Sequence, residues 1–240
     1  CASAAFRAGA GLVRMAVPGS IADAVDRALL EATTIALPET VSGSIDPGAV
    51  AQVLYAAMSF DAVVIGPGLG ADPRTAEFVR DLISVIELPL VLDADGINAF
   101  QGQPELLKRA SAPILLTPHA GELARLIDPS ADPITTAIAA AEVTGCVVLL
   151  KGQPTVIASP SGQVRLCIEG DPSLSTAGTG DVLAGIACAL MTKHDLMLAA
   201  PSAAWIHGRA GSIAAAHASE TGVLASDVVD VIPTVVKELL

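Results

Sequence analysis

The chain has 240 residues, with 25 acidic against 13 basic side chains and six aromatics (4 Phe, 1 Trp, 1 Tyr). A net charge of −12 repels a phosphate backbone and argues against general nucleic-acid binding, while 52% hydrophobic residues exclude disorder as the main state. The longest run without Asp, Glu, Lys or Arg, Pro47–Phe60, is too short to span a bilayer as a helix, so no membrane partner is expected.

Arg7 and Arg14 interrupt the first segment, so Cys1–Pro18 does not read as a signal peptide. Leu12–Val17 reads as the first buried strand, and Ser20 caps a helix over Ile21–Ala32. Asp46-Pro47 opens a helix to about Met58. Ala62–Ile65 is a strand, and Asp72-Pro73 opens a helix to about Val85. Leu90–Leu92 and Ile114–Leu116 are strands, Asp132-Pro133 opens a helix to about Val143, and Val147–Leu150 is a strand. Thr155–Ala158 and Gln163–Cys167 bracket Ser159-Pro160-Ser161-Gly162 as a hairpin. From Asp181 to Leu240 the pattern is almost wholly helical, with Gly and Pro breaks. The strand runs are continuously apolar, as when helices cover both faces of a sheet. The expectation is an α/β fold with a mostly parallel, doubly wound sheet, forming one domain over residues 1–240. Cys1, Cys146, Cys167 and Cys188 show no ligand spacing; they read as small buried hydrophobes and suit a reducing cytoplasm.

Chemistry gathers after the strands, where open parallel sheets bind ligands. Gly66-Pro67-Gly68-Leu69-Gly70 lacks the spacing of the dinucleotide and P-loop fingerprints. It reads either as a tight turn or as backbone that approaches a ligand closely. Asp93 and Asp95, with Asn98, can hold a hydrated cation or orient a substrate hydroxyl; Asp95 alternatively only caps a helix, which leaves Asp93 as the ligand contact. His119, after Pro118, is placed to touch ligand, and Glu122 either reaches a metal through water or simply favours a helix N-terminus. Lys151 ends an apolar strand and needs an anionic partner, a phosphate or a neighbouring carboxylate. In Ser175–Gly185 the backbone N–H groups of Gly178, Thr179 and Gly180 precede a very apolar helix and form an anion hole. Asp181 stands beside it as a general base for a hydroxyl that attacks a phosphoryl group.

The ordered set GPGLG, DADGIN, TPHAGE, KGQPT and STAGTGDVLAG, with the opening Ala4–Val17, resembles the ADP-dependent NAD(P)H-hydrate dehydratases of the ribokinase-like superfamily. The resemblance covers essentially the whole chain and implies a ribokinase-like fold. It implies repair of hydrated NADH or NADPH at the expense of ADP or ATP, with Mg²⁺. It places Lys151, Gly152, Gln153, Pro154, Thr155 and Gly180 on the adenine nucleotide, and Gly68, His119 and Asp181 on the hydrate. Asp93, Asn98 and Glu122 become substrate or Mg²⁺-water contacts. The family pattern begins with a further strand and a Tyr-x-Gly-Ala-type loop, which this chain is expected to lack. Some relatives also carry a preceding epimerase domain. Homo-oligomers are expected, with the apolar helical tail after Leu198, including Trp205, as a candidate interface. The competing readings are a ribokinase-like kinase of a vitamin precursor and an idle nucleotide-binding module.

Overall fold

The computed structural model describes residues 1–219 and 221–239. A short helix α1 (Ala2–Arg7) leads into β1 (Arg14–Pro18), α2 (Ala22–Ala28) and β2 (Thr33–Leu37). Strands β1 and β2 form a separate parallel pair in register Arg14 to Thr33 through Pro18 to Leu37. Three expectations are corrected here. The first strand begins at Arg14 rather than Leu12 and lies outside the main sheet. The helix expected to Ala32 ends at Ala28, because Thr33-Thr34-Ile35 is β-branched and pairs as an unforeseen strand. Ser20 caps nothing; its backbone N–H donates to the Glu39 carboxylate at 3.0 Å within a 3₁₀ turn.

The Asp-Pro pairs behave as their chemistry requires: the aspartate accepts orphan N–H groups while proline fills a position that needs no donor. Asp46 accepts from Gly48 and starts a 3₁₀ turn that continues as α3 (Val50–Ala57). After β3 (Val63–Ile65), Asp72 accepts from Arg74 to open α4 (Pro73–Val85). Strand β4 (Leu90–Leu92), α5 (Ala94–Asn98), β5 (Ile114–Leu116) and α6 (Ala120–Leu123) follow. Asp132 accepts from Ile134 and Thr135 to open α7 (Pro133–Thr144). Then come β6 (Val147–Leu150), β7 (Thr155–Ala158) and β8 (Val164–Cys167), the last two a hairpin. The chain continues as α8 (Thr179–Met191), α9 (Leu196–His217) and α10 (Ala225–Glu238). Pro201 and Pro233 lie inside α9 and α10 rather than breaking them. None of the helices is long and apolar enough to cross a membrane among the described residues.

The main sheet runs β3-β4-β5-β6-β7-β8, with β3 to β6 parallel and β7 and β8 antiparallel. Its alternate side chains feed two cores, as a pleated strand demands. Leu90, Leu92, Ile114, Leu116, Val148 and Leu150 pack toward α4 and α7. Val91, Leu115, Val147 and Leu149 pack toward α1, α8, α9 and α10. Each fully buried Leu, Ile or Val contributes about 1.5–3 kcal/mol. Helices therefore cover both faces, but the second face is covered by helices that follow the sheet and by α1, which precedes it. With so few aromatics, small residues set the spacing there: a Cβ on Gly185 of α8 would strike the carbonyl of Cys1. Trp205 packs against this second core, and Leu198 is half exposed. Cys146 and Cys167 are buried, Cys1 and Cys188 partly so, and all four are free thiols.

Candidate active site

The C-terminal ends of β3, β4, β5 and β6 lie side by side, so the loops that follow them converge with the start of α8. The first loop, Gly66–Gly70, is shaped by close backbone approach, but against protein. Gly66 has φ +132°, and a Cβ there would collide with the Asp93 carbonyl. Gly96 is equally constrained, 2.8 Å from the Ile65 carbonyl at the place where a Cβ would sit. Gly68 (φ +73°) and Gly70 (φ +79°) instead face open space. Asp95 is not a cap. Asp93 occupies the cap position of α5, and Asp95, in the first turn, accepts the Gly70 N–H at 2.9 Å. Asn98 donates to Asp95 at 3.2 Å and accepts from Arg125 at 2.6 Å, so both ends of its amide are engaged in holding the loop. A cavity of about 190 Å³ opens here, lined by Leu69, Gly70, Thr75, Val79, Asp95 and Asn98 among others.

His119, after β5, is the N-cap of α6. Its Nδ1 accepts from the N–H groups of Gly121 and Glu122 at 2.9 and 3.3 Å, and the Glu122 carboxylate accepts from the His119 N–H at 2.8 Å. This reciprocal cap puts the ring proton on Nε2, which faces Glu122 Oε1 at 3.5 Å. The ring stays exposed while Glu122 is buried. Glu122 therefore does favour a helix N-terminus, and both of its oxygens face cationic or N–H partners.

Lys151 joins these loops. Its N–H donates to the Pro118 carbonyl at 2.8 Å. Its Nζ lies 3.0 Å from Asp93 Oδ1 and 3.6 Å from Glu122 Oε2. Of the two anions left open for this lysine, the structure shows carboxylates. Asp93 is 1% exposed, and burial pushes its carboxyl above the usual carboxylate range; the Lys151 ammonium opposes that rise, and Glu122 adds to it. The buried Thr117 hydroxyl lies beside Asp93 but outside hydrogen-bond geometry.

At the start of α8, Gly178 is the N-cap in the left-handed region (φ +87°) and gives no side-chain cap. The Thr179 hydroxyl donates to the carbonyls of Leu174 and Thr176, at 2.6 and 2.8 Å, and its N–H also reaches Thr176 O at 3.3 Å. Thr179 thus anchors the loop and, contrary to the expectation for the anion hole, its N–H is engaged, while the N–H groups of Gly178, Gly180 and Asp181 carry no hydrogen bond among the described residues. Asp181 stands in the first turn, partly buried. A Cβ placed on Gly180 would lie 3.3 Å from Lys151 Nζ and 4.0 Å from Asp93 Oδ2. The positive end of a helix and an ammonium therefore converge, a pairing that is unfavourable without an anion nearby. Here Asp93 supplies that charge, and a phosphoryl group would fit the same field.

Gly152, Gln153 and Pro154 are exposed beyond β6. Thr155 donates to the Gly152 carbonyl at 3.0 Å and Gln153 to the Ile168 carbonyl at 3.1 Å, tying this loop to the hairpin. One residue at the site was not foreseen from the sequence. His207 of α9 is buried, with Nε2 unpartnered, and burial pulls its imidazole down to about 4. A histidine that follows Trp205-Ile206 in an apolar helix, just before Gly208, was the available signal.

A family model described as NAD(P)H-hydrate dehydratase matches residues 1–234. An ADP-dependent (S)-NAD(P)H-hydrate dehydratase of Xanthomonas campestris is 35% identical over 98% of this chain and 82% of its own length. A bifunctional NAD(P)H-hydrate repair enzyme of Moorella thermoacetica is 38% identical over 99% of this chain, which spans only 46% of that relative. The crystal structure of an ADP/ATP-dependent NAD(P)H-hydrate dehydratase from Bacillus subtilis, co-crystallized with ATP/Mg²⁺, is similar with a TM-score of 0.82 at 26% identity, over 99% of this chain and 83% of that one.

Proposed function

The chain belongs to the NAD(P)H-hydrate dehydratase family, of ribokinase-like fold, and from that membership we propose that it dehydrates hydrated NADH or NADPH with ADP or ATP as co-substrate. The observation that carries the reading is the start of α8: free N–H groups and the Lys151 ammonium meet at the ends of the parallel strands, with Asp181 in the same first turn of the helix.

The residues divide the work. The adenine nucleotide lies along Lys151–Thr155, with its terminal phosphoryl group against Gly180. The hydrate lies over the open face of Gly68, within reach of the exposed His119 ring, whose Nε2–H donates to a substrate oxygen. Asp181 takes the proton of the C6 hydroxyl, and that oxygen attacks the terminal phosphorus as the bond to the nucleotide breaks. The N–H groups of Gly180 and Asp181 hold the negative charge that develops. The lone pair of the ring nitrogen then expels phosphate, and loss of the C5 proton restores the dihydropyridine. With ADP the products are AMP, phosphate and the repaired dinucleotide.

Mg²⁺ would neutralise phosphate charge. No cluster of three or more His, Cys, Asp or Glu side chains is placed to hold a metal among the described residues. Its ligands would be phosphate oxygens and water, as is common for Mg²⁺, with Asp181 the adjacent carboxylate. The half-exposed Leu198 is apolar surface that a second copy can cover in a homo-oligomer. Four free thiols suit a reducing compartment.

The test is recovery of dihydronicotinamide absorbance from hydrated NADH with ADP and Mg²⁺. Recovery by the wild type, abolished in Asp181→Asn with ADP still bound, is the expected result. No recovery, or phosphate transfer to a vitamin alcohol instead, would sink the assignment; an active Asp181→Asn protein would remove Asp181 from the role of base.

A further inference from the structure

The glycine loop between β3 and α4 is pinned at two points. At Gly66 the pin is steric, because a Cβ there would collide with the Asp93 carbonyl. At Gly70 it is a hydrogen bond, from the Gly70 N–H to Asp95 Oδ2 at 2.9 Å. Gly68, between them, faces open space and is the proposed contact with the hydrate.

The second pin is the near end of a chain of side chains. Asn98 Nδ2 donates to Asp95 Oδ1 at 3.2 Å, and Arg125 Nη1 donates to Asn98 Oδ1 at 2.6 Å. The chain runs in one sense only. An arginine and a backbone N–H can only donate, and a carboxylate can only accept, so the Asn98 amide must turn its oxygen to Arg125 and its nitrogen to Asp95. Arg125 is itself held just past α6, where its N–H donates to the Glu122 carbonyl at 3.1 Å and its carbonyl accepts from Gly102 at 3.3 Å. The cap of α6 is His119. The loop that offers Gly68 and the histidine that reaches the hydrate therefore hang on one four-residue helix, from its two ends. None of the bonds in the chain involves Lys151 or Gly178–Asp181, the anion seat at the start of α8.

We propose that Arg125 is a positioning residue for the hydrate: through Asn98 and Asp95 it holds the glycine loop in register with His119. This rests on the reading of Gly68 and His119 as hydrate contacts. Gly70, Asp95 and Asn98 also line the cavity of about 190 Å³, so the chain shapes a space as well as a contact.

Arg125→Met keeps the stem, removes the donors and changes an exposed residue, so it should melt near the wild type. Its KM for hydrated NADH should rise about 5- to 10-fold, with kcat and the calorimetric affinity for ADP held within about twofold. An exchange of partners tests the chain itself. Asp95→Asn alone sets two donors against each other however the amides turn, and Asn98→Asp alone brings two carboxylates together. Combined, they restore every bond, because the new amide accepts from Gly70 and donates to the new carboxylate, which accepts from Arg125. Each single exchange should raise KM about tenfold, and the double exchange should return it to within about twofold of the wild type. Wild-type KM in Arg125→Met, an ADP affinity that falls along with that for the hydrate, or a double exchange no better than the singles would overturn the proposal. Binding of NADH, followed by its fluorescence, repeats the comparison without turnover. If the wild type repairs no hydrate yet NADH binding shows the same contrast, the functional reading falls and the role of Arg125 stands; if it binds no NADH either, both fall.

Discussion

Replacing Lys151 by Met keeps the aliphatic stem and removes the charge that faces Asp93. The pair is 3.0 Å apart, with the carboxylate 1% exposed and no hydrogen bond from Thr117 to replace the ammonium. Breaking a buried pair from one side costs about 3–5 kcal/mol. For a chain of this length each kcal/mol lowers Tm by about 2–4 °C, so a fall of about 10 °C is expected. The pH dependence fixes the cause. Burial already holds the Asp93 carboxyl above its unfolded value, and losing Lys151 raises it further. A carboxyl raised on folding contributes stability that is full below the unfolded value, about 3.9, and is lost as pH rises through the folded one. The penalty of Lys151→Met should therefore be small near pH 4–5 and full at pH 8. Adding Asp93→Asn should restore most of the stability, because no charge is then left stranded. Thermal melts of the four proteins at both pH values measure this. An equal penalty at both, or single effects that add to within about 0.5 kcal/mol, would refute the reasoning.

Two further outcomes follow from the same geometry. Gly66→Ala, which must displace the Asp93 backbone at φ +132°, should cost about 4 kcal/mol or more, whereas Gly68→Ala, in open space, should cost only about 1–2 kcal/mol; urea melts compare them, and a well-folded Gly66→Ala would contradict the close approach. The thiols of Cys146 and Cys188, both pushed up to about 12 by burial, should resist alkylation at pH 8 until the protein unfolds, and mass spectrometry of native, labelled protein would reveal a failure.

Much of the architecture was legible because local chemistry and tertiary packing agree. The helix after Asp72-Pro73 ends at Val85 as expected, since aspartate and proline define its start and Ile86 leaves in an extended conformation. Strands β4 to β6 are short, wholly apolar runs that no other environment suits. Strand β2 was hidden because Thr33–Leu37 is neither continuously apolar nor cleanly alternating, and its pairing with β1 is a tertiary fact. The site divides in the same way. That Lys151 needs an anion follows from its type and place; which anion depends on three loops meeting. His119 read as a ligand contact, and Asp95 as a choice between a cap and a contact. His119 is a cap whose ring remains exposed, and Asp95 braces the glycine loop from inside a helix. His207 was invisible because its burial and its unpartnered Nε2 depend on how α9 packs, which the sequence does not show.

The order of the strands also governs how the chain can acquire its fold. Strands β3 to β6 add one beside the next, each after a local connection, so one layer of the protein can assemble as it is synthesised. The opposite layer cannot. Helix α1 finds its seat on α8 only after the whole sheet lies between them in sequence. Until then Val91, Leu115, Val147 and Leu149 present a bare apolar face. The residues that bind and react sit at the junction of the two layers, so the anion seat is completed late, when α8 docks. A chain stopped before α8 would thus be the aggregation-prone species, already holding all of its strands but neither the anion seat nor Asp181.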